Sequence, residues 1–405
     1  MSPPPPATCY HRFERGKGGT LDLRGEFSEI LYNVLKRTLR EGNRWWQHQG
    51  DALAWGPMLF FSLAEEDLGL DVPLSPGELA RTAKRLADLS RRAAPFFPFI
   101  PRRWVDSVMG TLGMYRADSF LRDGHYRSEI ERVLIMTDLG LAAAGTYPER
   151  VKFGPFGPTV IAGMASVLNL LYGRFYYTCP LLAPFDFVRF GLRLLEAAGA
   201  RAFHPEGYYL EEPGTDYLHN LPNLIAGIAG ALAWQTTGDG SYLERAASAV
   251  DSLETLRDQE RGGYFSRYAG APGGDFKELS FHAFHMMALL FLASSGCRGC
   301  QERAADTAGF VLRDLKRGGL LRHHWHRGRA SNAFCAGCNL HFLYCLYLMF
   351  NLESNGILLD EVIETDAKVP LSAGVRHPVI CTLVPAALLL YARRGGRVAF
   401  SAFER

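Results

Sequence analysis

Residues 207–264 read GYYLEEPGTDYLHNLPNLIAGIAGALAWQTTGDGSYLERAASAVDSLETLRDQERGGY, and our fold prediction starts from this stretch. Within it, residues 221–235 are small and apolar on every side, and the TGDG segment at 237–240 is typical of a turn. Residues 242–256 carry apolar side chains at helical spacing on one side only. An apolar helix must be covered all round, whereas an amphipathic helix needs cover on one side. The stretch therefore predicts a helical hairpin with one inner and one outer helix.

The hairpin plan recurs along the chain. Gly207, Gly263 and Gly319 stand 56 residues apart, and the same spacing reaches further Pro- and Gly-marked positions near 95, 151 and 375. Repeated hairpins bury their apolar helices by closing into a ring, and an open solenoid is the alternative. We therefore predict an all-α (α/α)6 toroid of helical hairpins with short extended loop segments. Its predicted limits are residues 26–405 as a single toroid domain, preceded by a flexible Pro-rich arm at 1–25.

Periodicity also predicts the remaining helices of the ring. After the quoted hairpin and its repeat at 279–315, helical spacing occurs at 26–39, 76–92, 102–116, 128–144, 159–172 and 185–197. The apolar stretch at 332–352 contains three asparagines and one histidine, so we interpret it as a buried inner helix and not as a membrane span. The uncharged stretch at 378–392 has only 15 residues, and we expect no integral membrane span there.

Composition excludes several classes of protein. The chain has 405 residues, 44 basic and 42 acidic, so its net charge of +2 gives no support for nucleic-acid binding by bulk charge. Eight cysteines in a chain of this length do not form a disulfide scaffold. The N-terminus has no apolar segment typical of a secretory signal, so we expect a cytoplasmic protein with free thiols.

A hairpin repeat places all the period-56 loops at one end of the ring, where the inner helices begin. Helix N-termini favour an anionic ligand, and the longer loops are where function is expected. The loops and helix starts of the third to fifth units are rich in Tyr, Glu, Arg and His. We expect substrate contacts from Tyr209, Glu212, Asn223, Tyr264, Arg267, Lys277, His285, Arg322 and His324.

Residues 206–295 resemble the C-terminal helical domain of D-glucuronyl C5-epimerases. The resemblance lies in the GYYLEEP segment at 207–213, the apolar helix with its TGD turn, GGYFSRY at 262–268 and FHAFHMMAL at 281–289. More distantly, the unit resembles N-acylglucosamine 2-epimerases, another (α/α)6 family. The resemblance implies an isomerase acting on a uronic acid residue by proton abstraction and return at C5. Glu211 matches the acidic residue of that family and Tyr268 its loop tyrosine, while Phe281 stands where the family has a catalytic tyrosine.

Proton abstraction beside a carboxylate needs cations near that carboxylate and an acid and a base on opposite faces of the sugar. Our hypothesis is that Glu211 or His282 takes the proton and that Tyr268 returns it. We expect the substrate to be an anionic sugar or oligosaccharide. A uronate lyase, a glycosidase using Glu211 and Glu212, and a non-catalytic binding toroid stay open as alternatives.

Two further alternatives concern cofactors and cyclases. Cys297, Cys300, Cys335 and Cys338 form two Cys-x2-Cys pairs, but their positions in the repeat put the pairs near opposite ends of the ring. A zinc site from Cys335, Cys338 and His323 or His326 is geometrically easier, as in a zinc-dependent cyclase on a toroid scaffold. A terpenoid-type cyclase needs an acidic motif facing an aromatic cavity, and residues 65–71 hold the only acidic run. The base prediction is that the protein needs no cofactor.

Overall fold

A computed structural model describes residues 13–15, 19–41, 49–93, 104–143, 146–147, 156–175, 186–215, 217–267 and 276–355 of the chain. Six of its helices form an inner ring in which each helix packs against two neighbours in sequence order, and the last packs against the first. The inner helices are α2 (Gln49–Glu65), α4 (Trp104–Leu121), α6 (Pro158–Phe175), α8 (Asn220–Thr237), α10 (Leu279–Ser294) and α12 (Ala336–Asn355). The contact between α12 and α2 closes the ring, which confirms the predicted (α/α)6 toroid.

Six outer helices cover the ring, each packed on the inner helix of its own or a neighbouring hairpin. They are α1 (Leu23–Glu41), α3 (Pro76–Ala93), α5 (Arg127–Ala143), α7 (Phe187–Ala202), α9 (Gly240–Ser252) and α11 (Cys300–Phe310). In α3, for example, Leu79, Ala83 and Ala87 recur at helical spacing and are buried. The 3-10 turn Leu253–Leu256 extends α9, and the π-helical turn Val311–Leu315 extends α11.

Local signals explain where the hairpins turn. Gly238 ends α8 in the left-handed conformation (φ 74°), which a glycine adopts without a Cβ clash, and Asp239 then caps α9 by accepting a hydrogen bond from the Ser241 backbone N–H. At the start of α3, Ser75 and Glu78 bond to each other's backbone N–H groups, which is a capping box. These short turns lie at the end of the ring opposite the period-56 loops.

Short strands lie in or near the longer loops. Two strands form a hairpin near the N-terminus, β1 (Phe13–Arg15) and β2 (Gly19–Leu21). At the loop end of the ring, β3 (Phe276–Glu278), β6 (His324–His326) and β7 (Arg329–Ala330) form one antiparallel sheet, and β4 (Lys316–Arg317) pairs with β5 (Leu320–Leu321). The β3–β6 pairing joins the loop before α10 to the loop before α12, so the two loops have a fixed relative position.

One expectation about the repeat is corrected by the ring closure. The positions near 95, 151, 207, 263 and 319 each fall between an outer helix and the inner helix that follows it. The sixth expected position, 375, lies outside the described residues, and α12 already completes the ring. The remaining connection is therefore the one between α1 and α2, which begins a few residues after position 39, one period before residue 95. We did not predict helix α2, because its apolar residues were not distinguished from the segment before them.

The cysteines differ from the expectation of free thiols. Cys297 and Cys300 form a disulfide across the turn between α10 and α11, with their Cα atoms 5.7 Å apart. The turn brings the two side chains together because Cys300 is the first residue of α11. Cys335, Cys338 and Cys345 are free and buried. In the described part of the chain, no helix combines the length and the hydropathy needed to cross a membrane.

A fully buried carboxyl group lies between α5 and α6. Asp138 is 0% exposed, and its Oδ1 accepts a hydrogen bond of 2.8 Å from the Asn169 side-chain amide. Its Oδ2 and the Asn169 Oδ1 have no hydrogen-bond partner among the described residues. Burial raises the pKa of Asp138 well above its ordinary value, because the charged form is poorly solvated there. Burial therefore favours the neutral form of this acid in the folded protein.

We predict that Asp138→Asn stabilises the protein at neutral pH. Because folding raises the pKa of Asp138, its contribution to stability is complete below the ordinary carboxyl pKa and is lost as pH rises from there through the raised pKa, and the amide variant escapes this loss. The new amide also donates to the free Asn169 oxygen. We expect a gain of about 1 kcal/mol or more at pH 7 in urea unfolding, shrinking toward pH 3. Asp71→Asn at an exposed site is the control, and an Asp138 variant no more stable than this control would contradict the prediction.

Candidate active site

One side chain in each of three consecutive hairpins ties the loop to the inner helix. Asn223, the fourth residue of α8, accepts from the Tyr209 N–H (2.6 Å) and donates to the carbonyls of Tyr209 (2.9 Å) and His219 (2.8 Å). Asn339, the fourth residue of α12, makes the same three bonds to Leu321 and Cys335. We call this arrangement the loop clamp. In both residues the amide oxygen accepts one hydrogen bond and the amide nitrogen donates two, so the buried amide is satisfied.

His282 is the loop clamp of α10. Its Nε2 accepts from the Tyr264 N–H at 2.9 Å, and its Nδ1 lies 2.7 Å from the Glu278 carbonyl. An N–H can only donate, so Nε2 carries no proton and Nδ1 donates to the carbonyl. Burial lowers the pKa of His282 to about 4, and the Glu278 carbonyl offsets part of that effect. His282 is therefore a neutral structural imidazole with both nitrogens occupied, and we assign it no proton transfer.

A charged cluster lies beside these clamps at the mouth of the ring. The Glu211 Oε2 atom is 3.2 Å from His219 Nδ1 and 3.7 Å from an Arg267 guanidinium nitrogen. Glu211 and His219 are almost buried, with side chains 12% and 6% exposed, whereas the Arg267 side chain is 27% exposed. We call these three residues the acidic centre. It places one carboxylate, one imidazole and one permanent cation within reach of a single ligand.

Three backbone contacts hold the acidic centre in place. Glu211 follows Tyr209 by two residues, so the Asn223 clamp fixes both its loop and the carbonyl of His219. The Glu211 carbonyl accepts from the Thr159 N–H at 3.3 Å, which seats the loop on the first turn of α6. A Cβ on Gly157 would lie 2.7 Å from Glu211 Cγ, so glycine at this position makes room for the carboxylate side chain.

Arg267 is oriented by its surroundings. Its backbone pairs with His219 as an isolated antiparallel bridge, and its guanidinium lies 5.6 Å from the centre of the Tyr217 ring. The cation is therefore stacked on an aromatic face and paired with Glu211, and part of its side chain is exposed at the mouth. The helices α6 and α8 both begin beside Glu211, and the positive ends of their dipoles add a positive field there.

A second polar group lies next to the acidic centre around the ring. The Ser280 hydroxyl donates to Glu278, and His323 Nε2 is 3.8 Å from the same carboxylate. The ring of His324 packs on Phe276 with a centroid distance of 4.5 Å, and its pKa is lowered by burial. In this group the serine donates to the carboxylate and not to a histidine. It is therefore not arranged as a nucleophile with its base.

Lys277 belongs to β3 at the loop end of the ring, but its side chain is turned into the protein interior. Its side chain is 0% exposed, and its ammonium donates to Asp258 Oδ2 (2.7 Å) and to the Gly262 carbonyl (2.8 Å). The rings of Phe265, Phe310 and Trp325 surround it at 4.6–4.8 Å. The cation is fully used in holding the loop before α10, so it does not reach a ligand.

The other predicted contact residues divide between the core and the mouth. Tyr209 and Tyr264 are buried, and the Tyr264 hydroxyl donates to Glu254 at 2.8 Å. His285 is also buried, with its ring 3.9 Å from that of Tyr264. Glu212 and Arg322 are partly exposed on the loops. Tyr268 lies outside the described residues.

The described residues do not gather a metal site. No group of three or more His, Cys, Asp and Glu side chains in the described ranges is placed to hold a metal ion. Cys335 and Cys338 are 2% exposed, and the Cys338 N–H donates to Cys335 Sγ at 3.2 Å. The predicted partner histidines are at the mouth: His323 contacts Glu278 and His324, and His326 belongs to β6.

His219 is the member of the acidic centre that we did not assign from sequence. It stands immediately before α8, in the same loop as Glu211. The signal that could have found it is the loop clamp itself, because Asn223 binds the backbone of both Tyr209 and His219 and so brings their neighbours together. A search for equivalent fourth residues on the apolar helices would also have separated Asn223, His282 and Asn339 from the ligand-facing residues.

Comparison with solved structures places the fold among known toroids. The protein Lin0763 from Listeria innocua matches with a TM-score of 0.60 and 12% identity, over 82% of this chain and 98% of that one. An α-1,6-mannanase from Salegentibacter sp. HEL1_6 matches at 0.56 and 12%, over 82% and 100%. An unsaturated glucuronyl hydrolase from Bacillus sp. GL1, responsible for the degradation of glycosaminoglycan, matches at 0.54 and 11%, over 83% and 97%. The TM-scores show a shared fold, and at these low identities the comparison shows the fold alone. No protein-family model matches the sequence, and neither does any curated protein.

We predict that His282→Asn is tolerated better than His282→Ala. Asparagine fills the same position in the neighbouring hairpins, whereas alanine leaves the buried Tyr264 N–H without a partner, at a cost of about 1–3 kcal/mol. Because folding lowers the pKa of His282 from 6.5 to about 4, wild-type stability from this group is complete above pH 6.5 and falls as pH drops toward 4. The asparagine variant should lack that part of the pH dependence. Urea unfolding across pH 4–8 tests this, and equal losses for both variants would contradict the clamp.

Proposed function

We propose that the protein is a carbohydrate-active enzyme that removes the C5 proton of a uronic acid residue. The observation that carries the proposal is the acidic centre, in which Glu211, His219 and Arg267 meet at the mouth of a closed toroid. Several solved toroids of this shape are named as uronyl hydrolases or as a polysaccharide lyase, which supports a saccharide substrate.

The residues divide the chemistry among them. Arg267 binds the carboxylate of the sugar, because its exposed face offers a fixed cation backed by Tyr217. That contact stabilises the negative charge that develops when the neighbouring C–H bond breaks. Glu211 and His219 form one acid–base couple at 3.2 Å, in which the carboxylate accepts the proton and the imidazole stabilises or relays it.

A glycosidase stays an alternative, and we place it after proton abstraction because the acidic centre holds one carboxylate. Hydrolysis of a glycosidic bond by the usual route needs two carboxyl groups facing the bond. Among the described residues, Glu211 contacts His219 and Arg267, and a separate acidic cluster on Glu278 contacts Ser280 and His323. The acidic centre thus offers one carboxylate with a cation beside it, which is what proton abstraction next to a sugar carboxylate needs.

Epimerisation at C5 is our first candidate reaction, with proton return from the opposite face by Tyr268. β-Elimination by a uronate lyase is the second candidate, and one observation favours it. His282 is occupied as a loop clamp, so the described residues supply one acid–base couple on one side of the ligand. Both reactions begin with the same proton abstraction and differ in whether the carbanion is reprotonated or expels the neighbouring sugar.

We predict that the protein exchanges the C5 proton of glucuronate-containing oligosaccharides in D2O. Mass spectrometry and NMR should show deuterium at C5 with the chain intact for an epimerase, or an unsaturated cleaved product for a lyase. Glu211→Gln should lower the rate by about 100-fold or more, because it removes the base. Glu206→Gln, on the same loop with a side chain 76% exposed, is the matched control. Absence of exchange and of cleavage on every uronate tested would overturn the proposal.

A further inference from the structure

The axis of the ring contains a channel that the proposed proton transfer does not use. All six inner helices line it, and the exposed surface of its lining is apolar. Four methionines, Met58, Met109, Met164 and Met287, contribute flexible walls on four different helices. A cavity lined this way stays dry and accepts apolar groups.

The channel is narrow and elongated. Its lining runs from Val108, the fifth residue of α4, to Leu171, the fourteenth of α6, which is roughly 14 Å along parallel inner helices at 1.5 Å per residue. A cavity volume of ≈ 70 Å³ spread over that length leaves room for a slender group and none for a fused ring system. An unbranched chain is the apolar group with this shape.

Two polar atoms mark the end of the channel nearer the mouth. Trp55 lines the channel, and His341 stacks on it with ring centroids 3.8 Å apart and planes 4° apart. Trp55 Nε1 and His341 Nε2 have no hydrogen-bond partner among the described residues, although the two side chains are 3% and 1% exposed. The Trp55 N–H is a donor at this depth, and it suits an ether or ester oxygen where a hydrocarbon chain begins.

Two phenylalanines of α10 lie between the channel and the acidic centre. The ring of Phe281 contacts that of His219 at 6.0 Å between centroids, and Phe284 follows on the same side of α10 and lines the channel. Both phenylalanines are only partly buried, although they belong to an inner helix. The side of α10 between His219 and the channel is therefore apolar.

We propose that the axial channel binds the unbranched hydrocarbon chain of an alkyl or acyl saccharide whose sugar lies at the mouth. The position of the sugar rests on the proposed function, whereas the binding of the chain rests on the channel alone. The substrate class is thus an amphiphile with an acidic sugar and a linear apolar tail.

Titration calorimetry below the critical micelle concentration tests the binding of the hydrocarbon chain and the binding of the sugar separately. The probes are alkyl glucuronides, alkyl glucosides and linear alcohols, each with increasing chain length. We expect about fourfold tighter binding per added methylene in all three series, until the chain exceeds the channel. Affinity independent of chain length would overturn the channel, even if methyl glucuronide is bound and turned over. Chain-length dependence with equal affinity for glucuronides and glucosides would support the channel and count against the proposed function.

Variants test whether the hydrocarbon chain of the ligand binds in the channel. Ile228 lines the channel, and Ile228→Phe should block it and abolish the chain-length dependence. Met287→Ala should widen it, so that a cyclohexyl-ended chain binds about tenfold tighter than to wild type. Met286→Ala is the matched control, because this neighbouring methionine is 0% exposed and does not line the channel. Thermal unfolding checks that each variant folds, and the same gain in Met286→Ala as in Met287→Ala would overturn the proposal.

Discussion

Each inner helix of the ring must be apolar enough to be buried on every side, yet its first turn must meet a polar loop. The loop clamp at the fourth residue resolves this conflict, because one buried side chain satisfies the loop backbone and the helix carbonyl together. Asn223, His282 and Asn339 perform this role in three consecutive hairpins with two kinds of side chain. The loops before α8, α10 and α12 are consequently tied to their inner helices, which sets the positions of their polar side chains relative to each other.

The acidic centre is a consequence of that attachment. If its loop were free, the Glu211 carboxylate would be hydrated and would take many positions. The clamp on Tyr209 and the hydrogen bond from the Thr159 N–H hold it between His219 and Arg267. The ring supplies the rest: positive helix ends at the mouth and an apolar axis behind it. A polar, cationic rim above an apolar channel favours a ligand with an acidic head and an apolar continuation.

Hairpin patterning predicted the fold because a helix that is buried on all sides must be apolar on all sides, and the sequences of α8 and α10 show this. The assignment of the sixth loop to residue 375 failed because the period alone does not say where a ring begins; only the packing of α12 on α2 does. Site residues were harder, because the types that bind ligands also make clamps and buried ion pairs. Lys277 and His282 fit a ligand site by type and position, and burial gives them structural roles instead.

The most direct test of this account is a crystal structure of the protein soaked with glucuronic acid or its methyl glycoside. We expect the sugar at the mouth, with its carboxylate on the Arg267 guanidinium and its C5 facing Glu211. A sugar bound at the opposite end of the ring, or one at the mouth that leaves Glu211, His219 and Arg267 untouched, would contradict it.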